Sequence, residues 1–178
     1  MATETKLRQL ADSGCPVYYF YSSERYLVRQ AVAAAARVLA AGEDEETTVL
    51  DGAAPGIEPL IMAAGTISFF GTRRVVVLPE VDPGAYSDKD LDELCETLGS
   101  LENAVVVLGS VFESERGKLK LGKRAQKLIK ACQKLGYAEE QAKPKPYELK
   151  TMMIERARAQ DTTLPEGAAA ALLERCGE

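Results

Sequence analysis

The apolar residues of this chain fall into two alternating rhythms. Val17 to Tyr21 (VYYFY) is β-branched and aromatic with no polar position to face water, which predicts a buried strand. Behind it Leu27, Ala31, Ala34 and Val38 recur at helical spacing, widened by Val28, Val32, Ala35 and Leu39. Ser22 or Ser23 is placed to cap that helix and Gly42 to stop it. A second strand is expected at Thr47 to Leu50, a short helix at Ile57 to Ala64, and a third, apolar strand at Arg74 to Leu78. Ser87 with Asp90 resembles a capping box opening a helix through Leu98, and Ala104 to Leu108 (AVVVL) reads as a fourth strand. A basic helix over Leu121 to Leu135 ends at Gly136, and Tyr137 to Gln141 is the expected fifth strand.

Strands that are apolar on both faces and alternate with helices predict an α/β fold, a parallel sheet with helices on both faces. Lys143 to Pro146 (KPKP) breaks the pattern, because proline fixes the backbone and removes donors. Beyond it a helix is expected from Tyr147 to about Gln160, and another with Pro165 as its first residue. Two helices with apolar faces are the start of a small helical domain. The expected division is therefore 1–142 and 143–178, with the second part truncated and the chain an N-terminal piece of a longer protein.

Composition removes whole classes of chemistry. The chain has 178 residues, 28% charged and 46% hydrophobic, which suits a globular domain that needs no disulfide or metal. It contains no histidine, so Ser-His-Asp and Cys-His catalysis are excluded along with any histidine base. Cys15, Cys95, Cys132 and Cys176 form no CxxC pair, and a zinc site would need all four to converge; they read as reduced thiols. The N-terminus lacks an apolar signal core and no run approaches a membrane span, so a cytoplasmic protein without membrane contact is expected. A net charge of −5 argues against a free-standing nucleic-acid binder but not against a subunit working beside basic partners.

A nucleotide-binding α/β domain carries its phosphate cradle in the turn after the first strand, with glycines and a lysine. Here that turn is Tyr21-Ser22-Ser23-Glu24-Arg25-Tyr26, with no glycine, no lysine and a carboxylate where phosphates would sit. The fourth strand runs into Gly109-Ser110 and offers no magnesium-binding acid. A phospho-acceptor reading would use Asp51, but only Glu24 follows the first strand to help hold magnesium, so Asp51 reads as a turn residue. No cofactor and no catalytic residue are expected.

Two stretches remain. In GTISFFGTRRVVVL (65 to 78) Phe69 and Phe70 are adjacent, and one core face does not easily take both rings. The second ring either folds into the core or serves a partner. The other stretch is basic: Arg116, Lys118, Lys120, Lys123, Arg124, Lys127 and Lys130. It is a solvated face balanced by acids or a contact to a nucleic-acid backbone or acidic subunit; without interleaved aromatics, base stacking is not suggested.

VYYFYSSERYLVRQAV resembles the opening of the bacterial DNA polymerase III delta subunit family, and TVLDG (48 to 52) its second strand and turn. SFFGTRRVVVLPEVD (68 to 82) is similar to that family's clamp-binding segment, and KRAQKLIKAC, KPYELKTMMIERARAQ and LPEGAAALLERCG to its later pattern. The family often has leucine where Phe69 stands, and an Asp or Ser cap where Leu164 precedes Pro165. The resemblance implies an AAA+-like first domain without a working ATP site, then a helical domain. It also implies a non-catalytic clamp-loader subunit that binds and opens the β sliding clamp. Phe69 and Phe70 would form the plug, Ile67 a flanking contact, and Arg73 or Arg74 rim donors. Lys123, Arg124 and Lys127 would be contacts to DNA, indirect or weak, or to neighbouring subunits. Other loader subunits would join through a C-terminal region outside this chain, and polymerisation belongs to the holoenzyme. Burying two such rings yields roughly 3–6 kcal/mol before association costs, whereas a micromolar complex needs about 8, so polar contacts must add to the plug. A degenerate nucleotide-binding or phosphoryl-transfer domain, and an α/β module with both rings buried and an unrelated partner, stay open on the residues.

Overall fold

The computed structural model describes residues 4–40, 47–65 and 74–176. The chain divides into two compact units, Met1–Ala142 and Lys143–Glu178.

The first unit opens on a helix the apolar pattern had not suggested, α1 (Glu4–Asp12), which buries Leu7. Strand β1 (Val17–Ser22) is buried along its whole length. Helix α2 (Arg25–Leu39) turns Leu27, Val28, Val32 and Ala35 inward. Its N-cap is Glu24 with no side-chain cap bond, not Ser22 or Ser23: Ser22 is still in the strand, and Ser23 lies one residue too early. The helix ends at Leu39 with Ala40 as C-cap, and Gly42 lies outside the described residues.

Strand β2 (Thr47–Val49), helix α3 (Ile57–Gly65) and strand β3 (Arg74–Leu78) follow. A short 3-10 turn, Pro83–Ala85, leads to α4 (Asp88–Ser100), where the Ser87 hydroxyl accepts the Asp90 N–H at 3.1 Å. Strand β4 runs from Ala104 to Val111, three residues past the expected end, so Gly109 and Ser110 belong to the sheet and not to a loop. Between it and the basic helix stands a hairpin absent from the sequence reading, β5 (Ser114–Glu115) and β6 (Lys118–Leu119). Its turn places Arg116 at φ 51° and Gly117 at φ 77°, the left-handed pair a tight hairpin requires. Helix α5 (Lys123–Leu135) starts on the Gly122 N-cap, and β7 (Tyr137–Glu140) closes the unit.

The five-stranded sheet is parallel throughout, in the order β2-β3-β4-β1-β7. Alternation along each strand builds two cores. Val17, Tyr19, Val76, Leu78, Val106 and Leu108 pack under α3, α4 and α5. Tyr18, Phe20, Val75, Val77, Val105 and Val107 pack under α1 and α2. Helices on both faces are why the strands carry no polar alternation.

The second unit contains α6 (Pro146–Arg158) and α7 (Glu166–Cys176). Glu148 accepts the Lys145 N–H at 2.8 Å at the start of α6. Pro165 lies one residue before α7, and its carbonyl accepts the Ala169 N–H at 3.0 Å.

Candidate functional site

In an open α/β sheet a ligand crevice forms beyond the carboxyl ends of the strands, where successive connections leave for opposite sides. Here that point lies between β1 and β4: α2 leaves β1 over one face and α5 leaves β4 over the other. The strand ends at this point are stitched together. Tyr19 donates its phenol to Ser110 Oγ at 2.8 Å, and Ser110 donates to the Val81 carbonyl at 2.6 Å. The Val81 N–H returns to the Gly109 carbonyl at 2.7 Å. Ser22 donates to the Gln141 carbonyl at 2.5 Å and accepts the Glu24 N–H at 3.2 Å. The Phe112 N–H reaches the Ser22 carbonyl at 2.8 Å, and the Tyr21 and Phe112 rings meet edge-on at 6.2 Å. Ser22, Ser110 and Gln141 are all buried. Burial drives the Tyr19 phenol far above its ordinary range, so it stays a neutral donor.

This closure follows from residue size and register. Gly109 sits where an added Cβ would lie 2.4 Å from the Pro79 carbonyl oxygen and under 3 Å from both Val28 and Val32. The β3–β4 connection and α2 can approach this closely because position 109 has no side chain. The β1–α2 turn itself is short, and the exposed Glu24 puts a carboxylate at the positive end of α2.

Two clefts lie elsewhere. One, of about 250 Å³, opens beyond β2 and β3 and is lined by Arg29, Asp51, Gly52, Ala53, Pro79 and Glu80. Arg29 pairs with Glu80 at 2.7 Å there and Arg25 approaches the same oxygen at 3.6 Å. Asp51 is an exposed turn residue on that rim, on the β2 side of the sheet. The other, of about 350 Å³, lies between the starts of α3 and α4, where Tyr86 donates to the Pro55 carbonyl at 2.9 Å.

Ile67, Phe69, Phe70 and Arg73 lie outside the described residues. Both anchors of that segment are described. Helix α3 packs Leu60 and Ala64 against the sheet and turns Ile61 and Met62 outward, Met62 to 74% exposure. Arg74, the other rim candidate, is the first residue of β3; its N–H donates to the Asn103 carbonyl at 3.2 Å and its side chain is partly buried. The segment therefore spans from the end of one core helix to the start of a core strand.

The basic trio is divided by the structure. Arg124 bonds Asp88 at 2.6 Å and the Gly84 carbonyl at 3.2 Å, and Lys127 pairs with Asp92, so both tie α5 to α4. The Arg124 hydrogen bond and charge hold the Asp88 carboxyl below its usual range. Lys123 is exposed on the outer side of α5. The acids at 88 and 92 were the missed signal, because their partners are thirty-five or so residues away and only the α4–α5 packing joins them.

All four cysteines are free thiols: Cys15 and Cys132 are buried, Cys95 is partly buried and Cys176 exposed. Burial pushes the Cys132 thiol far above its ordinary range. Among the described residues no helix is long and apolar enough to cross a membrane.

No family model matches the sequence, and no curated protein does. Among solved structures the chain is similar to the Bacillus subtilis DNA clamp loader delta protein (YqeN), with a TM-score of 0.60 at 21% identity. The match covers 96% of this chain and 52% of that one, so this chain spans about half the length of its structural relative. The likeness establishes the fold: the α/β architecture described above is that of a clamp-loader delta protein.

Proposed function

We propose that this chain is the N-terminal part of a bacterial clamp-loader delta subunit, a cytoplasmic, non-catalytic module that binds and opens the β sliding clamp. The observation that carries the reading is the coincidence of a delta-type fold with a closed strand-end crevice. Where a nucleotide-hydrolysing relative would hold phosphates, this chain has a two-residue turn, an acidic N-cap and a network of bonded hydroxyls. Binding another macromolecule is then the remaining task for the fold. Residues 1–142 form the AAA+-like, clamp-binding domain and 143–178 the beginning of a helical lid.

Ile67, Phe69 and Phe70 are the clamp contact, with Arg73 and Arg74 at its rim. Support comes from the sequence pattern of 65 to 78 and from its position between α3 and β3, where rigid elements on both sides would present a short apolar plug. Other clamp-loader subunits are its remaining partners, with DNA held mainly by the assembly. Calorimetric titration of the β sliding clamp into wild type and into a Phe69→Ala/Phe70→Ala variant tests this. Micromolar or tighter binding that weakens at least a hundredfold in the variant is expected, from about 3 kcal/mol of lost burial. Equal affinity with both chains folded would remove the plug, and tight ATP binding in place of clamp binding would favour the degenerate-enzyme reading.

A further inference from the structure

Gln141, the residue after β7, is tied to the fold through both its backbone groups. Its N–H donates to the Tyr21 carbonyl at 2.7 Å, and its carbonyl accepts the Ser22 hydroxyl at 2.5 Å. Its side chain is fully buried, with Nε2 donating to Glu139 Oε2 at 2.8 Å while Lys6 of α1 approaches the other oxygen of that carboxylate at 3.5 Å. The side-chain Oε1 is buried and has no hydrogen-bond partner among the described residues. Burying an unpaired amide oxygen is unfavourable in itself, so the bonds around Gln141 keep it in place, not the preference of its side chain. One residue later, at Ala142, the first unit ends, and the KPKP break begins.

Ser22 joins two segments with one hydroxyl. It accepts the Glu24 N–H at 3.2 Å in the turn between β1 and α2, and it donates to Gln141 at the exit of the linker. In a nucleotide-binding α/β domain that turn is the part that meets phosphate. We propose that Ser22 is a positioning residue that latches the linker exit, holding the Gln141–Ala142 backbone in one conformation that no ligand in the turn has to set. Proline fixes φ at 144 and 146, so the segment beyond the latch is already stiff, and the bonds at 141 decide the direction in which it starts. This latch is independent of which macromolecule the chain binds.

Amide hydrogen exchange of this chain, read residue by residue by NMR, tests the latch. Ser22→Ala removes the hydroxyl and keeps the backbone bond from the Phe112 N–H to the residue 22 carbonyl. In that variant the Gln141 amide should exchange about tenfold faster or more, after division by the change at Val106. The Val106 N–H donates to the Pro16 carbonyl in the middle of the sheet, so it reports general loss of stability. A side chain that merely stabilised the fold would speed both amides equally, and the ratio isolates the latch. Ser23→Ala, next in the same turn, should leave the ratio at its wild-type value, and so should millimolar ATP with magnesium added to wild type. An unchanged ratio in Ser22→Ala, an equal rise in Ser23→Ala, or a wild-type ratio that moves with nucleotide would overturn the proposal.

Discussion

The Ser110 hydroxyl joins β1, β4 and the loop after β3 at the point where a nucleotide would otherwise enter, and its removal has a calculable consequence. Ser110 is fully buried, accepts from Tyr19 at 2.8 Å and donates to Val81 at 2.6 Å. Ser110→Ala leaves the buried Tyr19 phenol without its acceptor and takes one donor from the Val81 carbonyl, at roughly 1–3 kcal/mol for each orphaned group. A total cost of about 2–4 kcal/mol is expected. Tyr19→Phe keeps the Ser110–Val81 bond and should cost only about 1 kcal/mol. In the double variant the phenol is no longer present to be orphaned, so its cost should fall about 1 kcal/mol short of the sum of the single costs. Urea unfolding followed by tyrosine near-UV circular dichroism reads this unit well, because six of the seven tyrosines lie in residues 1–142. Strict additivity, or a Ser110→Ala cost below about 0.5 kcal/mol, would refute the reasoning that this network closes the crevice.

Gly109→Ala should destabilise the same unit by about 1–3 kcal/mol, since its Cβ would press on the Pro79 backbone; Gly99→Ala, which meets only the tip of Leu135, should be neutral or stabilising by up to about 1 kcal/mol, and a urea midpoint comparison distinguishes them. Glu139 supplies a pH dependence. Partial burial alone would raise its pKa, but the hydrogen bond from Gln141, the neighbouring Tyr137 phenol and the charge of Lys6 outweigh that and depress it below the ordinary 4.5. Its stabilisation is therefore fully present above pH 4.5 and lost as pH falls through the depressed value, so Glu139→Gln should flatten the stability profile below pH 4.5 and leave its slope above unchanged.

The central strands were legible because their burial on both faces removes any polar alternation, so VYYFY, RVVVL and AVVVL stand out. Helix α1 was not, since Leu7 and Leu10 give barely two turns of stripe, and only packing against α2 and the sheet gives that helix its role. The hairpin was hidden for a different reason: SERGKL is polar at nearly every position, and Gly117 was its one signal. At the candidate site, the lack of a phosphate cradle could be read from the β1–α2 turn. Its closure could not, because the Tyr19–Ser110–Val81 chain depends on the register that sets Tyr19 opposite Leu108 and Ser110 one strand away. The ion pairs of α5 were likewise set by tertiary packing, which is why Lys123, Arg124 and Lys127 read as equivalent and are not.

Release of the β sliding clamp from nicked circular DNA, timed with and without this chain, addresses clamp opening most directly. The account predicts that wild type accelerates release at micromolar concentration and that Phe69→Ala/Phe70→Ala, folded to the same extent, does not. Release at the unassisted rate with wild type present, or equal acceleration by the double variant, would contradict it.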